Sequence, residues 1–186
     1  MQPLLQSLKA IHPISSALEK HLEKTLQNKA FKKEQYLLKA GAVSSHIYFI
    51  ASGLVRSFYE KEEAEINSWF FAEGDIIISV QSFYTREAGS EYLQALEPTE
   101  TWYVSYDELQ FIYHNYPEFN FIARVLTEKY YALSEQRLFA MRKQTAAERY
   151  NYLLQNSPQL IQRVSSKYLA SYLGISAETL SRIKKK

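Results

Sequence analysis

The last 24 residues, Arg163 to Lys186, limit most what this chain can fold into; they read RVSSKYLASYLGISAETLSRIKKK. Gly174 separates two apolar patterns of helical spacing. Leu169, Ala170 and Leu173 precede it, and Ile175, Leu180 and Ile183 follow. A glycine accepts the positive φ that ends a helix abruptly. Ala170 is small enough for a second helix to cross close to the first. Leu169, Leu173, Leu180 and Ile183 then share one apolar face. Ser165 or Ser166 can cap the first helix. Ser176 can cap the second, with Glu178 in its first turn beside the helix dipole. The pattern predicts two short helices joined by a tight turn.

Such a helix-turn-helix reads DNA with the N-terminal side chains of its second helix. Here the side chains left outside the apolar face are Ala177, Glu178, Ser181 and Arg182, followed by Lys184 to Lys186. Arginine suits guanine, and a glutamate accepts from the cytosine amino group. Ser165, Ser166 and Lys167 at the start of the first helix, with Ser176 and Thr179 at the start of the second, complete the expected DNA-contacting set. Lys184, Lys185 and Lys186 are expected on phosphates. The segment holds six Lys or Arg and one Glu, about +5, whereas the whole chain is +2. Everything before Arg163 therefore sums to about −3, and positive charge is concentrated where phosphates would lie.

Composition excludes several other classes. The chain has no cysteine, which removes disulfides, thiol catalysis and cysteine-ligated clusters. Its four histidines, at 12, 21, 46 and 114, are dispersed and lack metal-ligand spacing. No Gly-rich phosphate loop and no Ser, His and acid set is present, so no enzyme and no metal site is expected. No apolar run of membrane-spanning length occurs and the N-terminus does not read as a secretory signal, so a cytoplasmic location without membrane association is expected.

Read in order, residues 3 to 30 carry helical spacing (Leu4, Leu5, Leu8, Ile11, then Leu18, Leu22, Leu26), broken at Pro13. From Phe31 to Ser105 short aromatic and β-branched runs alternate with turns such as Ser52-Gly53, Glu73-Gly74-Asp75 and Glu97-Pro98. That spacing predicts a small barrel or sandwich, with Ile76-Ile77-Ile78 as a buried strand. Ser105 to Glu108 and Thr145 to Glu148 read as capping boxes, the first opening a helix over Tyr106 to Asn115. A long helix is expected from about Glu118 to Met141. Its stripe of Ile122, Val125, Leu126, Tyr130 and Leu133 is expected to meet a second copy, because the helix is longer than a small β-domain needs. The expected division is 1–117 for the N-terminal helices and sensor, 118–141 for the dimer helix and 142–186 for the DNA-binding unit.

The series β-roll, long helix and helix-turn-helix resembles the Crp/Fnr family of bacterial transcription regulators. Leu38 to Ala42, Ile47 to Gly53 and Phe71 to Ile77 look like its first strand and turn, its glycine-ended strand and its Gly-Asp turn. Leu169 to Ile183 looks like its helix-turn-helix, with Glu178 and Arg182 at two base-reading positions and Ala177 where an arginine is usual. The resemblance implies an α+β fold, with a cyclic-nucleotide-binding-like β-roll acting through a long dimer helix on the C-terminal unit. It also implies an effector pocket near Gly74, Ser79, Gln81, Arg86, Ser90 and Tyr92, with Arg124 or Thr127 reaching across. Cyclic-nucleotide-binding relatives place Gly-Glu and Arg-Ser pairs where this chain has Ile78-Ser79 and Gly89-Ser90. Only Ser90 agrees, so cyclic AMP is not expected to bind and no cofactor is called for. The reading is a homodimeric regulator with double-stranded DNA as its partner, RNA polymerase as a further candidate, and an unidentified effector. The alternative is a small-molecule sensor with weak or lost DNA binding.

Overall fold

The computed structural model describes residues 1–62 and 64–185. Two helices, α1 (Gln2–Ile11) and α2 (Ser16–Thr25), precede eight strands. These are β1 (Gln27–Phe31), β2 (Tyr36–Leu38), β3 (His46–Ser52), β4 (Val55–Lys61), β5 (Ala64–Phe71), β6 (Ile76–Ile77), β7 (Glu91–Ala95) and β8 (Thr99–Ser105). A short helix, α3 (Val80–Thr85), lies between β6 and β7. The strands form two four-stranded antiparallel sheets, ordered β1-β8-β3-β6 and β2-β7-β4-β5.

Alternation along each strand separates two cores. In β3, Tyr48 and Ile50 join Val55, Phe71, Leu93 and Ala95 inside the roll, whereas Phe49 joins the core beneath the helices. That second core holds Leu4, Leu5, Leu18 and Leu22 of the first two helices. Gly53 is required at its corner, with φ +105° and an added Cβ only 2.6 Å from the Thr99 Cα.

Four expectations about the elements need adjustment. The N-terminal helical pattern stops at Thr25, and residues 27–31 instead pair with β8, which seats Phe31 in the roll. The Ile76 strand is two residues long, because Ser79 already leads into α3. Ser105 caps α4 (Tyr106–Asn115) by accepting from the Glu108 N–H, but the Glu108 carboxylate turns to His21 at 2.5 Å. The 105–108 box is therefore closed on one side only. An additional helix, α7 (Pro158–Arg163), follows α6 (Ala146–Asn156). Thr145 and Glu148 do close a full capping box at the start of α6.

The long helix α5 runs Pro117–Lys143, with proline in its first turn and Gln144 extended at its end. Its 27 residues span about 40 Å. The chain closes with α8 (Ser166–Leu173) and α9 (Ala177–Lys184). Leu169, Ala170, Leu173 and Leu180 pack in one cluster with Leu54 and Phe70 of the roll, so the C-terminal unit rests on the roll's own outer face.

Candidate functional site

Local chemistry sets the geometry of α8 and α9. Ser165 accepts from the Tyr168 N–H and Ser176 from the Thr179 N–H, satisfying one first-turn donor at each helix start. Gly174 has φ +66° and its N–H returns to the end of α8. The last carbonyls of α8 are held by two arginines from elsewhere in the chain. Arg137 of α5 donates to the Tyr172 carbonyl at 2.8 Å, and Arg149 of α6 donates to the Leu173 carbonyl at 2.8 and 3.0 Å. Positive groups at a helix C-terminus also complement its dipole.

Leu180 is buried and turns α9 so that Ala177, Glu178, Ser181, Arg182, Lys184 and Lys185 are exposed, while Thr179 is half-buried beside its cap. Ser165, Ser166, Lys167 and Ser176 are exposed too. Lys184 Nζ donates to Ser166 Oγ at 3.0 Å, which places the end of α9 beside the start of α8. Glu178 and Arg182 form no ion pair among the described residues, so neither is spent on the other. Lys186, expected on phosphate, lies outside the described residues.

The face of α8 away from α9 is clamped to the roll. Arg56 of β4 is buried, and its guanidinium lies between the Phe58 and Tyr168 rings, 3.9 Å from each centroid. It donates to Gln94 at 2.6 and 2.9 Å and to Glu65 at 2.7 Å. That hydrogen bond holds the Glu65 carboxyl below its ordinary range, with lesser contributions from the charges of Arg56 and Lys167. Ser171 of α8 donates to the Glu65 carbonyl and accepts from the Asn67 N–H, both at 2.9 Å. Arg163 reaches Glu73 and Glu97 on the roll, and its hydrogen bonds take the Glu73 carboxyl down to about 2. Arg56 and Tyr168 were not singled out from sequence. An arginine between a β-branched and an aromatic stretch gives no signal of burial until α8 covers it.

Between the roll, the first two helices and α5 lies a cavity of about 660 Å³. Of the expected effector residues, Ser79, Gln81, Ser90 and Thr127 line it. Four do not. Gly74, at φ +87°, forms the turn before β6. Arg86 turns its guanidinium to the Ser44 carbonyl at 2.7 Å and over the Tyr106 ring at 4.1 Å. Tyr92 stacks on Phe58 on the outer face, because the pleat of β7 points Leu93 and Ala95 inward. Arg124 pairs with Glu128 one turn along α5. The same pleat carries Glu91 into the cavity, and alternation from Leu93 would have identified it. Among the described residues no Arg, Lys or His lines the cavity, and Glu91 is its one charged side chain. Burial pushes the Tyr48 and Tyr113 hydroxyls up to about 12, so these lining phenols stay neutral.

The expected dimer stripe on α5 divides between two roles. Ile122 is fully buried in the chain's own core and Leu126 packs against that core, so neither is free to meet a partner. The Tyr130 hydroxyl accepts from the Ile76 N–H at 2.8 Å and donates to Asp75 at 3.3 Å. Burial first, then the Asp75 charge, raises the Tyr130 pKa. Val125 and Leu133 are half-buried. The exposed apolar side chains of α5 are Phe121, Tyr131, Leu138, Phe139 and Met141. Among the described residues no group of three His, Asp or Glu is placed to hold a metal, and no helix is long and apolar enough to cross a membrane.

The described residues thus form a β-roll with an internal cavity, a long helix across it and a docked helix-turn-helix. Residues 28–116 match the family profile of the cyclic nucleotide-binding domain. FixK2 of Bradyrhizobium japonicum superposes with a TM-score of 0.73 at 19% identity, covering 87% of this chain and 83% of that one. The c-di-GMP-responsive global regulator CLP of Xanthomonas campestris gives 0.72 at 17%, covering 92% and 90%. A protein of Eubacterium rectale described as a Crp/Fnr-family transcriptional regulator gives 0.73 at 14%, covering 92% and 82%. No curated protein sequence matches the chain. The chain shares the fold of these proteins.

Proposed function

We propose that this chain is a homodimeric, sequence-specific DNA-binding transcription regulator of the cytoplasm, whose roll responds to a small molecule other than cyclic AMP. One observation carries the reading: a doubly capped helix-turn-helix leaves Ala177, Glu178, Ser181 and Arg182 on an exposed face flanked by Lys184 and Lys185. Those side chains suit base edges and phosphates respectively. Dimerisation is supported by α5, where Tyr131 and Phe139 are 68% and 57% exposed on a helix with only Phe119 and Ile122 buried. Two-fold symmetry would set two recognition helices about 34 Å apart, one turn of DNA. The argument against cyclic AMP is electrostatic, since a phosphodiester entering the roll would find no cation and would face Glu91. CLP is described as responding to c-di-GMP, also an anion. Among the described residues, nothing lining this cavity would neutralise such a ligand.

In-vitro selection from a random duplex pool tests the proposal. Enrichment of an inverted repeat with half-sites about one turn apart is the expected result. A pool that stays unenriched over successive rounds at moderate salt would refute it.

A further inference from the structure

The charge inside the roll has the wrong sign for the ligand that the domain's family name suggests, and the surrounding geometry is built around that charge. Glu91 lies on β7 opposite Tyr59 of β4. Ser57 Oγ donates to the Glu91 carboxylate, and Ser68 Oγ lies 2.7 Å from Ser57 Oγ. Trp69 sits across from Ser57 on β5. These side chains all line the cavity, and the wall continues through Trp102 and Tyr131. Glu91 forms no salt bridge among the described residues. Glu91 is half-buried, and within the cavity only a hydroxyl compensates its charge. Aromatic faces attract cations and also bury apolar surface. A cavity of about 660 Å³ is the size of a small-molecule pocket.

We propose that this cavity binds an organic cation with an apolar body, an arylalkylammonium or similar amine, whose charged nitrogen pairs with Glu91 while its body lies among Trp69, Trp102 and Tyr131. The inference rests on reading the roll as an effector domain and names the ligand class of that site. It is independent of whether α9 reads DNA.

The chain reports on the cavity itself, because its two tryptophans, Trp69 and Trp102, both line it. The full-length chain is titrated with 2-phenylethylammonium and separately with 2-phenylethanol, which has the same shape without the charge. The expected result is a saturable fluorescence change with the ammonium bound about tenfold more tightly, the scale of one charge-assisted hydrogen bond. Glu91→Gln keeps the size of the side chain. It is expected to abolish the preference while leaving the affinity for the alcohol unchanged, and that retained affinity also reports that the variant is folded. Equal affinity for the two probes, a preference that survives Glu91→Gln, tighter binding of cyclic AMP than of the ammonium, or no response to either probe up to millimolar concentration would each overturn the inference. Its failure would leave the duplex selection unaffected, and an unenriched selection would leave the fluorescence result standing.

Discussion

Docking of the helix-turn-helix on the roll is tested at Arg56. Its guanidinium has one face on Phe58, on the outer face of the roll, and the other on Tyr168, in α8. Arg56 is 1% exposed. Replacing it with Met removes the partner of Glu65 and both ring contacts, and the total loss should be about 3–5 kcal/mol, the range for breaking one side of a buried pair. Only part of that belongs to docking. A desolvated cation–π contact contributes about 2 kcal/mol, and Tyr168 is half-buried, so its share should be about 1–2 kcal/mol. Two double-mutant cycles separate the shares, one pairing Arg56→Met with Tyr168→Leu and the other with Phe58→Leu. Urea unfolding of all the variants supplies the coupling energies. Both cycles should give about 1–2 kcal/mol if α8 is seated as described. A Phe58 coupling of that size beside a Tyr168 coupling within about 0.3 kcal/mol of zero would show that the C-terminal unit leaves the roll in solution.

Further outcomes follow from the same geometry. Light scattering at tens of micromolar should report a dimer, and Leu138→Glu with Phe139→Glu should weaken it at least tenfold; an unchanged dimer would place the interface elsewhere. Glu73 has its folded pKa depressed from 4.5 to about 2, mainly by Arg163, so its contribution is present above pH 4.5 and lost as pH falls from there toward about 2. Its side chain is 44% exposed, so solvent screening should keep that contribution below about 1 kcal/mol. Glu73→Gln should flatten the acid limb of a stability–pH curve, and an unaltered limb would refute the pairing. Tyr130→Phe should cost about 1–3 kcal/mol by leaving the Ile76 N–H without its partner, as measured by urea unfolding. A loss under 0.3 kcal/mol would mean that water replaces the hydroxyl.

Legibility from sequence followed the range of the interactions involved. The helix-turn-helix could be read residue by residue because its caps, its glycine and its leucines act within a few positions of one another. The roll was legible as short strands, but β1 was hidden by a helical leucine pattern that reaches Leu26 and is overruled by pairing with a strand some seventy residues away. On α5, the periodic stripe correctly marked an apolar face at Ile122, yet periodicity cannot say whether the covering surface is the chain's own roll or a partner. The effector residues show the same limit. Positions carried over from relatives included Arg86 and Tyr92, whose side chains turn away. Glu91, one pleat from Tyr92, was passed over because its significance depends on the absence of a basic neighbour in three dimensions.

The central claim, that α9 enters the major groove and reads bases, is tested most directly by titrating the full-length chain and Arg182→Ala against the selected duplex and a random duplex at several salt concentrations. Lys185→Ala serves as the phosphate-contact comparison. The account predicts that Arg182→Ala loses about 1–3 kcal/mol per half-site on the selected duplex and little on the random one. Lys185→Ala should weaken both about equally and shallow the salt slope by roughly one unit per contact. Equal losses on both duplexes for Arg182→Ala would make Arg182 a phosphate contact, and no loss on either would contradict insertion of α9 into the groove.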